Sequence, residues 1–310
     1  MATTVTVNSN YNGTVAGDII GKAFKEADTL RLGLVNVLPD IDYKVSIRKI
    51  SYGNGRQDYA CGFTPAGSVT LSEVALVPKK IKNEFDICKE DLRQIWSSAT
   101  MGFSAHNDNM PADVEQALIA EVLADTAEAT DSDIWVGDAT NDGEFDGFTT
   151  LWATDGDIIK ANNGLVPIGA AITEANVESE LKKVLTAIPV ALRRKDLNVV
   201  VSPDVFQAYN FYLVSKGIAN DGTADDKQVK FGKYTITEVN GLPDNTIVVY
   251  ETKNLNFGTG LLSDHNELRI KDMDESDLSG QVRYKMVYTA GVQYVYPTEI
   301  LWYVSTVTPA

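Results

Sequence analysis

Residues 42–88 read DYKVSIRKISYGNGRQDYACGFTPAGSVTLSEVALVPKKIKNEFDIC, and this stretch decides the fold. Tyr43, Val45 and Ile47 alternate with Lys44, Ser46 and Arg48, the two-residue period of a strand exposed on one side. Residues 52–68 then form a loop rich in glycine and aromatic residues. The chain returns through Val69, Leu71, Val74, Leu76, Ile81, Phe85 and Ile87. The apolar phase slips near Ser72 and Glu73, which predicts a bulge or a local twist. The whole stretch is expected as one long two-stranded arm with no core of its own. A lone hairpin is marginal in water, so the arm needs another surface and is suited to holding a neighbour.

Downstream, residues 111–131 (PADVEQALIAEVLADTAEATD) predict one long acidic helix. Pro111 suits its first turn, and Asp113 and Glu115 suit its positive dipole end. Val114, Leu118 and Val122, flanked by Ala117 and Ile119, form one apolar stripe on a charged rod. Residues 16–28 and 89–96 are expected as further helices, and a turn-rich segment ending in FDGFTTL follows the long one.

In the second half, Thr173 is expected to cap a helix whose core stripe is Val177, Leu181, Val184, Leu185 and Ile188. Residues 197–202 (LNVVVS) predict a buried strand, and Ser202-Pro203 a cap with proline at the first helical position. Phe206, Tyr209 and Leu213 give the next helix its face, and Gly217 stops it. Strands are expected at 234–239 and 246–251, joined by the turn at 241–245, then at 267–271, 282–288 and 292–296, continuing to 304.

Composition narrows the function. The 310 residues are 44% hydrophobic, enough for a sizeable core, and no run approaches a membrane span. Net charge is −16, unevenly placed. Residues 1–100 hold 12 basic against 11 acidic side chains, while residues 101–310 hold 15 against 32, a balance of −17. Such a chain is a poor candidate for sequence-specific nucleic-acid binding, because phosphate neutralisation dominates that affinity. Two cysteines, Cys61 and Cys88, are too few for a disulfide framework and are expected as free thiols.

The order of these pieces resembles the major capsid proteins of tailed bacteriophages, with the Hong Kong 97-like fold. The resemblance covers nearly the whole chain and includes the strand–Ser–Pro–helix run VVVSPDVFQAYNFYLVSKG and the ending NFGTGLLSDHNELRIKDMDESDLSGQVRYKMVYTAGVQYVYPTEI. It implies an α+β fold with an N-terminal arm (1–41), an extended β-hairpin loop (42–88), a peripheral domain with a spine helix (89–164), an axial domain (165–255) and returning peripheral strands (256–310). It implies a non-enzymatic shell protein forming hexamers and pentamers around double-stranded DNA, located in the virion capsid and assembled in the host cytoplasm. A portal protein, and a separate scaffolding or decoration protein, would be further partners, with no membrane. An encapsulin-type compartment shell is the alternative on the same fold, and a hydrolase using the Asp-rich loops is the alternative in another class.

Within that resemblance, Tyr52, Arg56, Tyr59 and Phe63 are expected to contact the adjacent subunit, a local hydrophobic cluster under the loop being the alternative. Glycines 53, 55, 62 and 67 are expected to let the loop adapt to several subunit settings. Lys22, Lys25 and Arg31 are expected to face packaged DNA without base specificity, or else to pair with Asp18, Glu26 and Asp28 on their own helix. The acidic residues Asp221, Asp225, Asp226, Asp272, Asp274, Glu275 and Asp277 are expected outward or at subunit edges. The namesake of the fold cross-links through an extended-loop lysine. Residues 51–78 hold none, only Arg56, so no covalent cross-linking is expected. No long scaffolding segment is expected ahead of the first helix.

No catalytic motif is present. His106 and His265 lie in polar loop contexts, and no GxSxG, HExxH, paired CxxC or P-loop occurs. Asp138, Thr140, Asp142 and Gly143 imitate the start of a calcium loop, but its twelfth position falls on Thr149, so a turn is expected. No metal or cofactor is expected.

Overall fold

The computed structural model describes residues 10–11, 28–59, 61–62, 64–88, 112–159, 165–217, 228–260, 268–273 and 280–306. Three sheets organise them. A six-stranded sheet contains β1 (Asn10–Tyr11), β2 (Asn36–Leu38), β5 (Lys79–Cys88), β10 (Leu255–Thr259), β11 (Leu268–Asp272) and β12 (Gln281–Tyr294). A five-stranded sheet has the order β13-β9-β6-β8-β7, with β6 (Asn198–Val201), β7 (Gln228–Phe231), β8 (Tyr234–Glu238), β9 (Thr246–Tyr250) and β13 (Leu301–Val304). The third is the isolated pair β3 (Val45–Tyr52) and β4 (Val69–Leu76). Helices are α1 (Asp28–Arg31), α2 (Ala112–Val136), α3 (Phe148–Thr154), α4 (Val177–Ala187) and α5 (Pro203–Ser215).

The five-stranded sheet joins two cores because its strands are apolar on both sides, hence the uninterrupted NVVV and TIVVY runs. Val199, Val201, Ile247 and Val249 face a core built with α4 and α5. Val200, Val248 and Tyr250 face the other, where Trp135 of α2 packs edge-on or tilted against Phe148, Trp152 and Tyr250 at 5.6–6.3 Å. The expected α4 stripe is buried at Val177, Leu181, Val184 and Ile188, with Leu185 partly buried.

α2 is the expected long helix, extended to Val136 so that Ile134 and Trp135 seal its C-terminal end. Side chains of its first turns, including Val114 and Leu118, lie outside the described residues. Its buried threonines satisfy their hydroxyls within the helix: Thr126 donates to Val122 O and Thr130 to Thr126 O, both at 2.7 Å. α1 is latched to it. Asp131 accepts the Thr29 amide at 3.0 Å, and the Trp135 indole donates to Thr29 Oγ1 at 2.8 Å. Burial pushes the Asp131 carboxyl above its usual range, opposed by its bonds to Thr29.

Several expectations are corrected. The strands expected at 282–288 and 292–296 are one 14-residue strand, β12, because Gly291 interrupts the side-chain pattern without interrupting the ladder. β13 does not continue it. The chain turns at Pro297–Glu299 and pairs with β9 in the five-stranded sheet, so the returning segment serves both sheets. The turn-rich segment closes in a helix, α3. Asn176, not Thr173, occupies the N-cap of α4; its Oδ1 accepts the Thr173 amide at 2.7 Å. Ser202 stands at the N-cap of α5, but its hydroxyl donates to Asp204 and accepts the Thr246 amide instead of capping. The helices expected at 89–96 and, apart from Asp28, at 16–28 lie outside the described residues.

Candidate assembly surface

The arm is shorter than expected and better ordered in register. β3 and β4 pair without interruption from Val45↔Leu76 to Tyr52↔Val69, so there is no bulge at Ser72 and Glu73. The slip in β4 has a mirror in β3, between Ile47 and Ile50. Residues paired directly across an antiparallel ladder share a face. One face therefore carries Val45, Ile47, Val74 and Leu76 near the root, and the opposite face carries Ile50, Tyr52, Val69 and Leu71 near the tip. The hairpin inverts its apolar side halfway along.

The root face meets the body. Leu76 is 1% exposed and Ile41 2%, and both lie over Gly258 of β10, where a Cβ would fall 2.2 Å from Leu76 Cδ2 and 2.7 Å from Ile41 Cδ1. Gln293 donates to Ala75 O at 3.3 Å, and the Lys49 ammonium sits 5.2 Å from the Tyr296 ring centroid. The tip face points the other way. Ile50, Tyr52, Val69 and Leu71 are 62, 68, 65 and 73% exposed. Full burial of such a side chain is worth about 1.5–3 kcal/mol, so covering all four contributes on the order of 5 kcal/mol per arm before ordering costs.

Beyond Tyr52 the loop is held by close backbone approach. Gly53 N donates to Ser68 O at 2.7 Å. Cβ atoms on Gly55 and Gly67 would each lie 3.0 Å from the other's Cα. Adaptability is thus not what these two glycines supply; they let two chain segments touch, and only Gly62 of the expected four has a positive φ, 118°. Tyr59 is 94% exposed, and Arg56 is exposed too, its amide donating to Asn54 Oδ1 at 3.1 Å. Tyr52 and Tyr59 are thus both exposed in this chain. Phe63 lies outside the described residues, as do Lys22 and Lys25. Arg31 is described and pairs with Asp28 at 3.4 Å.

The expected arm ends at Leu76. After Pro78, which has no amide hydrogen to give a ladder, residues 79–88 enter the body as β5 and pair with β12 over ten positions, Lys79↔Ala290 to Cys88↔Gln281. Ile81 and Phe85 turn inward, Phe85 stacking on Tyr284 at 4.7 Å. Outside, Glu84 accepts from Lys82 and Lys285, each at 2.7 Å, and those bonds hold its carboxyl down at about 2. Lys79 at the root donates to Ala139 O and Asn141 O at 3.0 and 3.3 Å. Beside it, burial and then the Glu144 charge push Asp133 up to about 6, against the pull of Lys79.

Among the described residues, no group of three or more His, Cys, Asp or Glu could hold a metal ion. The 138–146 loop is a turn. Asp138 accepts from Thr140, Glu144 accepts the Asp138 amide at 3.1 Å, and Asp146 accepts the Ala139 amide at 2.9 Å. Cys61 is exposed, Cys88 half-buried, and both are free. His106 and His265 lie outside the described residues, as do Asp221, Asp225, Asp226, Asp274, Glu275 and Asp277.

No family model matches the chain. No curated protein matches it either. Solved structures do. The capsid of the native GTA particle is similar at 12% identity and a TM-score of 0.62, over 98% of this chain and 94% of that one. The procapsid of satellite phage P4 is similar at 13% identity and 0.60, over 95% and 91%. The SrpI encapsulin complex of Synechococcus elongatus is similar at 10% identity and 0.54, over 92% and 89%. The chain thus has the α+β, Hong Kong 97-like fold that phage capsids and encapsulins share.

Proposed function

We propose that this chain is the major capsid protein of a tailed phage, assembling as hexamers and pentamers into a closed icosahedral head around double-stranded DNA. One observation carries the reading: a chain with this fold holds four apolar side chains at the arm tip on the side facing away from its own body. A second copy of the chain is the partner that such an arm fits, because every copy offers both an arm and a body, and closed symmetric shells repeat one contact many times. The work is structural; the neighbours in fold are capsid proteins, and we assign no catalysis to the chain.

In the same reading, residues 1–41 form an N-terminal arm, the extended loop corresponds to β3, β4 and the segment between them, and α2 with the six-stranded sheet makes the peripheral domain. The five-stranded sheet with α4 and α5 makes the axial domain. Tyr52, Arg56, Tyr59 and Phe63 contact the neighbouring subunit. Lys22, Lys25 and Arg31 face the DNA. A portal protein closes one vertex, and a separate scaffolding or decoration protein assists. Assembly takes place in the host cytoplasm. Electron microscopy of the purified protein tests this: closed shells or capsomers are expected, and a monomer that persists at high concentration would overturn it. The encapsulin likeness supports a second reading, a compartment shell with protein cargo. Nuclease-resistant DNA inside particles from infected cells separates the two.

A further inference from the structure

The chain carries 27 basic against 43 acidic residues, and Arg31, Lys82, Lys182, Lys183 and Lys285 each sit beside a carboxylate. One place breaks that pattern. Arg193, Arg194 and Lys195 are consecutive, at the 3-10 turn Leu192–Arg194 between α4 and β6. The β7–β8 turn, with Gly232 at φ 61°, brings Lys233 to the same spot, where its ammonium donates to Arg193 O at 3.1 Å. Between these residues and the segment 32–34 lies a cleft of about 510 Å³ whose lining includes Thr235 and Thr237.

The partners of these cations set the site apart. Lys195 is neutralised by Glu251 and Glu299, at 2.9 and 2.6 Å. Among the described residues, Arg193 donates to the carbonyls of Ile188 and Thr186, at 2.9 and 2.8 Å, where it closes the end of α4. Those bonds, like that of Lys233, order the side chain while leaving its full charge uncancelled. Arg194 has no hydrogen bond or ion pair among the described residues. Asp196 is the sole carboxylate among the described lining residues. Three cations thus face a polar cleft in a protein otherwise rich in negative charge.

We propose that this cleft binds the phosphate groups of a nucleic-acid backbone, which rests on the shell reading above for the source of the polyanion. Guanidinium forks match phosphate oxygens two at a time, and the threonine hydroxyls add neutral donors. Lys233 covers one face of the Tyr234 ring, 4.7 Å from its centroid, and the ring also packs partly against the core, so Tyr234 is poorly placed to stack on a base. The contact reads backbone and not sequence. It also lies beside Leu32–Leu34, directly after Arg31, which pairs with Asp28 and which the shell reading places toward the DNA.

The test compares the unassembled protein with the double variant R194Q/K233Q, leaving Arg193 in place because it closes α4. Anisotropy of a fluorescent DNA duplex is measured across a salt series. The variant is expected to bind about tenfold more weakly at low salt, with a log–log salt slope smaller by about two. R194K/K233R is expected to restore binding, and unchanged thermal melts show that both variants fold. Inorganic phosphate alone is titrated in parallel; binding as tight as the duplex's would make this a free-phosphate site and overturn the proposal. A wild-type protein that ignores the duplex, or a double variant that binds it equally well, overturns it too. Microscopy is scored separately: shells with unaltered duplex binding in the variant remove the cleft and leave the capsid reading, whereas absent shells remove the capsid reading itself.

Discussion

β4 and β5 are consecutive strands separated by two residues, and each pairs antiparallel with one long partner, yet they do opposite things. β5 keeps one apolar side throughout, Ile81 to Ile87, so that its whole length lies on one core with Lys82 and Glu84 outside. β4 and its partner β3 change sides halfway, so that half of their apolar surface is used by the chain itself and half is left for something else. A constant phase makes a wall, and a phase that inverts in both strands at once makes a connector.

The sharpest way to break this comparison uses two leucines of the same strand. Leu76→Ala is expected to cost about 2–5 kcal/mol of stability, because it empties a fully buried site over Gly258. Leu71→Ala is expected to leave the unfolding midpoint nearly unchanged, within about 0.5 kcal/mol, since that side chain is 73% exposed. Equal losses in denaturant titrations would remove the distinction between root and tip. Next in size, Ile50→Ser with Leu71→Ser is expected to raise the concentration needed for assembly by at least about tenfold, through lost apolar burial, without altering the fold. Light scattering reads this, and unimpaired assembly would mean that the tip face is not the contact.

Two smaller effects follow from ionisation. Asp133 has its carboxyl raised to about 6, chiefly by burial. The folded chain therefore holds this proton more tightly than the unfolded chain, and stability from the site is present below about pH 4 and lost as pH rises through about 6. Asp133→Asn should match the parent near pH 4 and exceed it above pH 7 in urea midpoints; a variant weaker at pH 7 would reverse the assignment. Glu84 behaves in the opposite sense. Its carboxyl is lowered to about 2 by Lys285 and Lys82, so its contribution is present above about pH 4.5 and fades as pH falls toward 2. Glu84→Gln is expected to give the smallest loss of the set at pH 7, disappearing in acid.

The sequence made the arm visible but misplaced its end and its twist. The slip at Ser72 and Glu73 was legible, and so was its counterpart between Ile47 and Ile50. A bulge inserts a residue into one strand, whereas a matched slip in both strands keeps the ladder intact and flips the apolar face. Pro78 similarly marked where β4 had to leave its ladder. Other features had no local signal. α3 is a short, threonine-rich helix after Gly147 with no side-chain cap, held by the aromatic core and not by propensity. The basic run Arg193–Lys195 can be read from the chain, but Lys233 joins it from 40 residues away through the pairing of β7 and β8.

The joint between wall and connector has mechanical consequences. Val77 and Pro78 carry the chain from β4 to β5, and Gly291 of β12 lies directly beneath: a Cβ there would fall 3.0 Å from Pro78 Cα and 3.3 Å from Val77 O. Proline fixes one backbone angle, and the glycine lets the turn rest flush against the sheet. The eight residues of the arm's strands extend roughly 26 Å from that seat. A tilt of about 10° at the seat therefore carries the tip through about 5 Å over a lever of that length. Small adjustments at one dipeptide are enough to aim the same arm at neighbours set at different angles, as the proposed five-fold and six-fold rings would require.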